Sequence, residues 1–290
     1  QGFQLILIRL FFIFFLLPMT VGSEEPSLER IYLAREIITL DDAHPEATAV
    51  LVRSGRVAAI GAVEQLQGNF PNAELDRRFA EDVMVPGFIE HHVHPLLAAI
   101  TMNADVIAIE DWVLPGKRTL GVRDRQSYID RLRASEQNQP NANTPLVTWG
   151  FHHYFHGKLT RQDLDAISSS RPILVIHRSF HEFIMNTPGL AYFGITPEFV
   201  DSLDKEARQY ASFDNGHFEE QGAVSILPNV MQHLAAPNPL IAGLKKTEKY
   251  LHQNGVTLIA NPGAMLLKSV QDAKNYVFGD ADTPFRSYFI

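Results

Sequence analysis

Hydrophobic and polar positions change over in short steps through the first third of the chain, the rhythm of strands. Ile31-Tyr32-Leu33-Ala34 and Ile37-Ile38-Thr39-Leu40 read as two short strands before a turn at Asp41-Asp42-Ala43-His44-Pro45. Ala49-Val50-Leu51-Val52 and Val57-Ala58-Ala59-Ile60 flank Arg53-Ser54-Gly55-Arg56, a tight hairpin with glycine in its turn. Val63–Leu66 starts a short helix, and a strand near Asp82–Val85 closes a small β module.

Beyond Pro95 the period lengthens. Leu96–Met102 suits a helix, and Ser127–Glu136 sets Tyr128, Ile129 and Leu132 at helical spacing among charges. Asn138–Pro145 is a polar loop, and Leu146–Trp149 a strand. Thr160 and Asp163 have capping-box spacing and open a helix over Leu164–Ser168. Ile173–Ile176 is a buried strand, whereas Asp201–Pro239 is mixed and broken by Gly216 and Gly222. Leu240–Asn254 reads as a helix closed by Gly255, then a strand over Val256–Ala260 ended by Asn261-Pro262-Gly263. Helix, glycine and apolar strand together make the αβ unit that parallel barrels repeat.

The chemistry concentrates in one segment. Val83-Met84-Val85 is apolar, Pro86-Gly87 interrupts it, and Phe88-Ile89 resumes a buried strand that delivers Glu90-His91-His92-Val93-His94-Pro95. Residues two apart on an extended chain share a face, so His92 and His94 stack about 6–7 Å apart. Two imidazoles so placed can bind one metal ion, and a catalytic site adds further ligands and an open water position. With twelve histidines in the chain, coincidence also produces such a pair. Its place at the C-terminal end of a strand favours the metal.

His152-His153-Tyr154-Phe155-His156 is a second histidine-aromatic cluster, which as pocket lining or as ligands competes with a solvated loop. His177 follows the strand Ile173–Ile176 and is expected to face substrate; His181 is a weaker candidate. Gly216-His217-Phe218-Glu219-Glu220-Gln221-Gly222 suits a mobile lid or, more simply, a polar loop. Lys268 and Lys274 fit a solvated helical face.

Composition narrows these readings. The 290 residues are 46% hydrophobic, enough for a sizeable core, and carry a net charge of −8, which argues against a nucleic-acid partner. There is no cysteine, so disulfides, thiolate nucleophiles and Cys-bound zinc are excluded, and a metal must rest on His, carboxylates or a modified lysine. Arg9, the apolar run Leu10–Leu17, Pro18 and the small residues Val21-Gly22-Ser23 describe a secretory signal peptide over residues 1–23. The expectation is an exported protein, periplasmic or secreted, touching membrane only through that segment. An uncleaved anchor over Leu5–Leu17 is the alternative, although the run falls short of the ~20 residues a spanning helix needs.

The hairpin from Ala49 to Gly61, followed by Met84-Val85-Pro86-Gly87-Phe88-Ile89-Glu90-His91-His92-Val93-His94, resembles the amidohydrolase superfamily. Leu164-Asp165-Ala166, Arg171-Pro172-Ile173-Leu174, Asn186 and Asn254–Ile259 narrow the resemblance to its YtcJ-like branch, which includes N-substituted formamide deformylases. It runs from about Glu29 to Ile290. It implies an α/β chain, with a β-sandwich module over 24–85 and an incomplete (β/α)8 TIM-type barrel over 86–290. A segment over about 112–235 is inserted into that barrel. His92 and His94 would be metal ligands, Glu90 would support the strand or orient an imidazole, and His152, His153 and His177 would be possible substrate-pocket residues. The implied activity is hydrolysis of carbon–nitrogen bonds other than peptide bonds in a small molecule, by water activated on a divalent metal, with zinc the default. Further ligands and a proton-shuttling aspartate are expected beyond Ile290, so the chain reads as the N-terminal half of an enzyme and as inactive by itself. A non-catalytic binding or regulatory protein on the same scaffold is the competing reading.

Overall fold

The structure, a computed structural model, describes residues 29–141, 143–262, 283 and 286–289. The expected signal peptide and Lys268 and Lys274 lie outside the described residues. No helix among the described residues is long and apolar enough to cross a membrane. The chain divides into two units, residues 1–86 and 87–290.

In the first unit β1 (Glu29–Ile37), β2 (Ala49–Arg53), β3 (Arg56–Gly61) and β4 (Glu74–Met84) form one sheet of order β3-β2-β1-β4, joined by α1 (Val63–Asn69). The hairpin closes where Arg53 pairs with Arg56. The two strands expected at 31–34 and 37–40 are a single strand. β1 continues through the polar Arg35-Glu36 because β4 pairs alongside, Glu36 with Val83 and Ile37 with Met84, with register shifts between Tyr32 and Glu36. Leu40 falls outside it, with a positive φ of 55° and 82% exposure. Ile31, Ala49, Leu51 and Leu66 make one small core. The other face is an apolar cleft lined by residues including Tyr32, Ile37, Val50, Ile60, Phe79 and Met84. Among the described residues the module is one sheet with a helix; the second sheet of a sandwich is not formed by them.

The second unit is mixed α/β. Its first half holds β5 (Phe88–Glu90), α2 (Pro95–Asn103), β6 (Asp105–Val106), β7 (Trp112–Leu114), β8 (Lys117–Thr119), α3 (Arg125–Gln137), β9 (Leu146–Phe151), α4 (His153–His156) and α5 (Arg161–Asp165). There follow β10 (Ile173–His177), β11 (Glu182–Met185), α6 (Thr187–Tyr192), α7 (Pro197–Ser202), α8 (Lys205–Arg208), β12 (Ala211–Ser212) and β13 (His217–Glu219). It ends with α9 (Glu220–Leu234), α10 (Pro237–Gln253), β14 (Val256–Asn261) and β15 (Arg286–Phe289). A six-stranded sheet runs β12-β13-β11-β10-β9-β6, and a three-stranded parallel sheet runs β15-β14-β5.

Every residue of β10 is buried, which explains its unbroken apolar run. On one side Leu174 and Ile176 join Phe183, Phe218, Ile226 and Val230. On the other, Ile173 and Val175 join Tyr128, Leu132, Leu146 and Phe151. The capping box at Thr160 and Asp163 is present, but its helix occupies Arg161–Asp165 and ends before Ser168.

Two expectations are corrected. Phe88 and Ile89 are 56% and 64% exposed, not buried, since β5 is the edge of its sheet among the described residues and only β14 pairs with it. The segment read as a lid or polar loop is strand β13 running into helix α9. That helix carries Ala223, Ile226, Val230 and Met231 as a buried stripe at helical spacing. Gly222 does not break it; it sits against the Tyr210 carbonyl, where a β-carbon has no room.

Candidate active site

His92 and His94 lie just past the end of β5 rather than within it, and their rings meet edge to face with centroids 5.1 Å apart. Gly87 admits this strand to its neighbour, because a β-carbon there would occupy the side chain of Thr257 on β14. Glu90 Oε1 accepts the backbone N–H of His92 at 3.0 Å, so the carboxylate fixes the turn between strand and histidines rather than bonding to an imidazole. His94 precedes Pro95, the first residue of α2. Its Nδ1 is buried and has no hydrogen-bond partner. A buried ring nitrogen left without a partner is uncommon, and a lone pair so placed suits a metal. The pair fits two donors of a metal site; no third His or carboxylate among the described residues joins them.

His94 also lines a cavity of about 340 Å³. Its walls are mostly apolar, with Leu97 and Ile100 from α2, Ile176 from β10 and Leu227 and Met231 from α9. The polar exceptions include His181 and Glu220, whose side chains meet at 3.1 Å. Sequence reasoning gave His181 little weight and Glu220 none beyond a loop.

The second histidine cluster forms at the C-terminal ends of the parallel strands β9 and β10, where open α/β sheets place their ligands. Ring centroids of His152 and His153 lie 5.4 Å apart, those of His152 and His177 5.3 Å, and those of His153 and His177 5.6 Å. His152 caps α4, its Nδ1 accepting from the Tyr154 N–H. His156 turns away: its Nδ1 accepts from the His152 N–H and its Nε2 lies 2.8 Å from the Val122 carbonyl, so both nitrogens are engaged. Burial pushes His156 below the ordinary histidine value, against the pull of that carbonyl. Burial, then the charge of His153, lowers His152 as well.

His177 is 9% exposed, and burial holds it down at about 4, so its imidazole is neutral at pH 7. Its Nδ1 lies 2.8 Å from Ser179 Oγ, and its Nε2 is buried without a hydrogen-bond partner. Opposite stands Glu182, whose Oε2 is 3.6 Å from His153 Nδ1 and 3.9 Å from His177 Nε2. Its Oε1 is 2.7 Å from His217 Nε2. Burial pushes the Glu182 carboxyl up, but the His217 hydrogen bond and the surrounding histidines outweigh it and leave the group below its usual value. Glu182, His217 and Glu219 form a second set of donors within 4.8 Å of one another. Sequence reasoning missed Glu182 and His217 as partners. Period-two alternation along 182–184 and 217–219 was the available signal, since it places Glu182, His217 and Glu219 on one sheet face.

No protein-family model matches the sequence. Among curated proteins, the chain is 26% identical over 259 residues to exoenzymes regulatory protein AepA of Pectobacterium carotovorum subsp. carotovorum, covering 86% of this chain and 53% of that protein. It is 29% identical over 181 residues to N-substituted formamide deformylase of Arthrobacter pascens, covering 55% of this chain and 29% of that one. The chain therefore spans about half the length of the first of these relatives and less of the second. Among solved structures, an uncharacterized metal-dependent hydrolase from Pyrococcus horikoshii OT3 superposes with a TM-score of 0.62 at 14% identity, over 90% of this chain and 48% of that one. The sequence relatives, and a fold shared with metal-dependent hydrolases over part of their length, are consistent with the amidohydrolase resemblance read from the His-x-His segment.

Proposed function

We propose that the intact protein hydrolyses carbon–nitrogen bonds other than peptide bonds in small molecules of amide, cyclic amide or N-formyl type, with a divalent metal, by default zinc. The observation that carries this reading is His94, whose buried, unpartnered Nδ1 stands beside His92 and at the wall of an apolar cavity. His92 and His94 would hold the metal, which when bound supplies an activated water and polarises the scissile carbonyl. Glu90 keeps the two imidazoles together through the turn it braces. Leu97, Ile100 and Leu227 would bind the apolar part of the substrate and exclude water around the reacting bond. The proton-shuttling carboxylate is not assigned among the described residues.

The parallel strands β5, β14 and β15 fit three strands of a (β/α)8 barrel, and the six-stranded sheet fits the segment inserted over its mouth. Export is part of the proposal: exported material should begin near Glu24 on N-terminal sequencing. A regulatory role is the second reading, favoured by the relative whose name makes it a regulatory protein.

The test is metal content together with hydrolysis of N-formyl and cyclic amide substrates by the intact protein, wild type against His92→Ala/His94→Ala. Hydrolysis that disappears together with one equivalent of metal in the double variant supports the enzyme. An intact, metal-loaded protein without hydrolytic activity on any substrate of these classes favours the regulator, and unchanged metal content in the double variant overturns the site.

A further inference from the structure

We propose a second divalent transition-metal site, separate from His92 and His94, formed by His152, His153, His177 and Glu182. Nitrogens of the three histidines lie within 4.8 Å of one another, and Glu182 Oε2 adjoins two of them, 3.6 Å from His153 Nδ1 and 3.9 Å from His177 Nε2. A tetrahedral ion with bonds of about 2.0–2.1 Å sets its donors about 3.3–3.4 Å apart, so small side-chain rotations complete the shell. Three imidazoles and one carboxylate suit zinc and its first-row neighbours rather than magnesium or calcium.

Three features separate this group from an ordinary polar patch. His177 is nine-tenths buried, and its Nε2 faces Glu182 across 3.9 Å with no hydrogen-bond partner. The ring is held from behind: Nδ1 accepts the Ser179 backbone N–H at 3.2 Å and lies 2.8 Å from Ser179 Oγ, so Nε2 is the nitrogen left to face a metal, which takes the place of its proton. The carboxylate is likewise held from behind, because His217 Nε2 lies 2.7 Å from Glu182 Oε1 and leaves Oε2 for the ion. That bond also places His217 as the residue positioning Glu182 rather than as a ligand, and so selects this group over the Glu182, His217 and Glu219 set. His153, 65% exposed, provides the route by which an ion enters.

The elements joined are the ends of β9 and β10 and the start of β11, so an ion here clamps the turn that also carries Ser179 and His181 into the cavity. Binding therefore stabilises the folded protein by mass action.

The experiment uses intact protein carrying His92→Ala/His94→Ala, stripped with chelator and dialysed. Zn²⁺ and Co²⁺ are titrated by calorimetry, with the Co²⁺ d–d spectrum and thermal melting recorded in parallel. One equivalent should bind, raising the melting temperature and giving a tetrahedral Co²⁺ spectrum. Adding His153→Asn, an exposed change that leaves the fold intact by circular dichroism, should weaken binding at least tenfold, and His177→Asn should abolish it. No binding in the double variant, or binding that His153→Asn leaves unchanged, overturns the site.

Discussion

Asn186 Oδ1 accepts the backbone N–H of Ile173 at 2.8 Å, tying the residue that follows β11 to the first residue of β10. The same oxygen accepts from the Gly189 N–H, and Nδ2 donates to the carbonyls of Ser168 and Arg171, each at 2.8 Å. The side chain is fully buried with all its bonds made to backbone. Asn186→Ala leaves two N–H groups and two carbonyls without this partner and should cost about 2–4 kcal/mol, read as a lower urea midpoint. A midpoint equal to wild type would refute this account of the strand pair.

Helix α10 approaches α2 through Gly243, where an added β-carbon would run into the Ala99 carbonyl. Gly243→Val should push the helices apart and cost about 1–3 kcal/mol. Ala242→Val, on the exposed face one residue earlier, should stay within about 0.5 kcal/mol of wild type. Equal melting curves for the two variants would contradict the close packing.

Asp76 should contribute acid sensitivity to the first unit. The side-chain hydrogen bonds from Arg78, then the Arg78 backbone N–H, hold its carboxyl at about 2 against an ordinary 3.8. A carboxyl lowered in the folded state contributes stability above 3.8 and loses it as pH falls through about 2. The stability difference between wild type and Asp76→Asn should therefore hold from neutral pH down to 3.8, then shrink as pH approaches 2. Denaturation midpoints measured across that range check it, and a difference that grows on acidification would be inconsistent.

Glu90 should govern metal retention through the turn it braces. Glu90→Gln keeps an oxygen to accept the His92 N–H and should hold metal near the wild-type level. Glu90→Ala removes the brace and should weaken binding about 10–100-fold, the usual effect of losing a residue that orients a ligand. Equilibrium dialysis against a competing chelator gives both numbers. Equal affinities for the Gln and Ala variants would leave the brace without a role.

Local rules carried the sequence reading as far as neighbours along the chain decide the outcome. The Ser54-Gly55 hairpin, the Thr160 capping box and the helix ended by Gly255 each depend on a few adjacent residues, and all three were legible. Gly216 and Gly222 read as breakers and obscure helix α9, while the stripe at Ala223, Ile226 and Val230 points the other way. The exposure of Phe88 and Ile89 could not be read from their apolarity, since burial depends on which strands lie beside β5. Glu182 was missed for the same reason: its histidine partners come from α4, β10 and β13, and the tertiary fold brings them together.

The pairing of β5 with β14 joins Phe88 to Val256 across nearly all of the second unit's sequence. Closing so long a loop costs chain entropy before any contact repays it, so this pairing forms late unless the intervening chain has already drawn its ends together. The six-stranded sheet lies within that interval and has two apolar cores of its own. Chain entropy therefore favours the six-stranded sheet forming before β5 pairs with β14. His92 and His94 lie just past the strand which that long-range pairing holds, so a metal ion bound there would be linked to the closure of the β5–β14 pair.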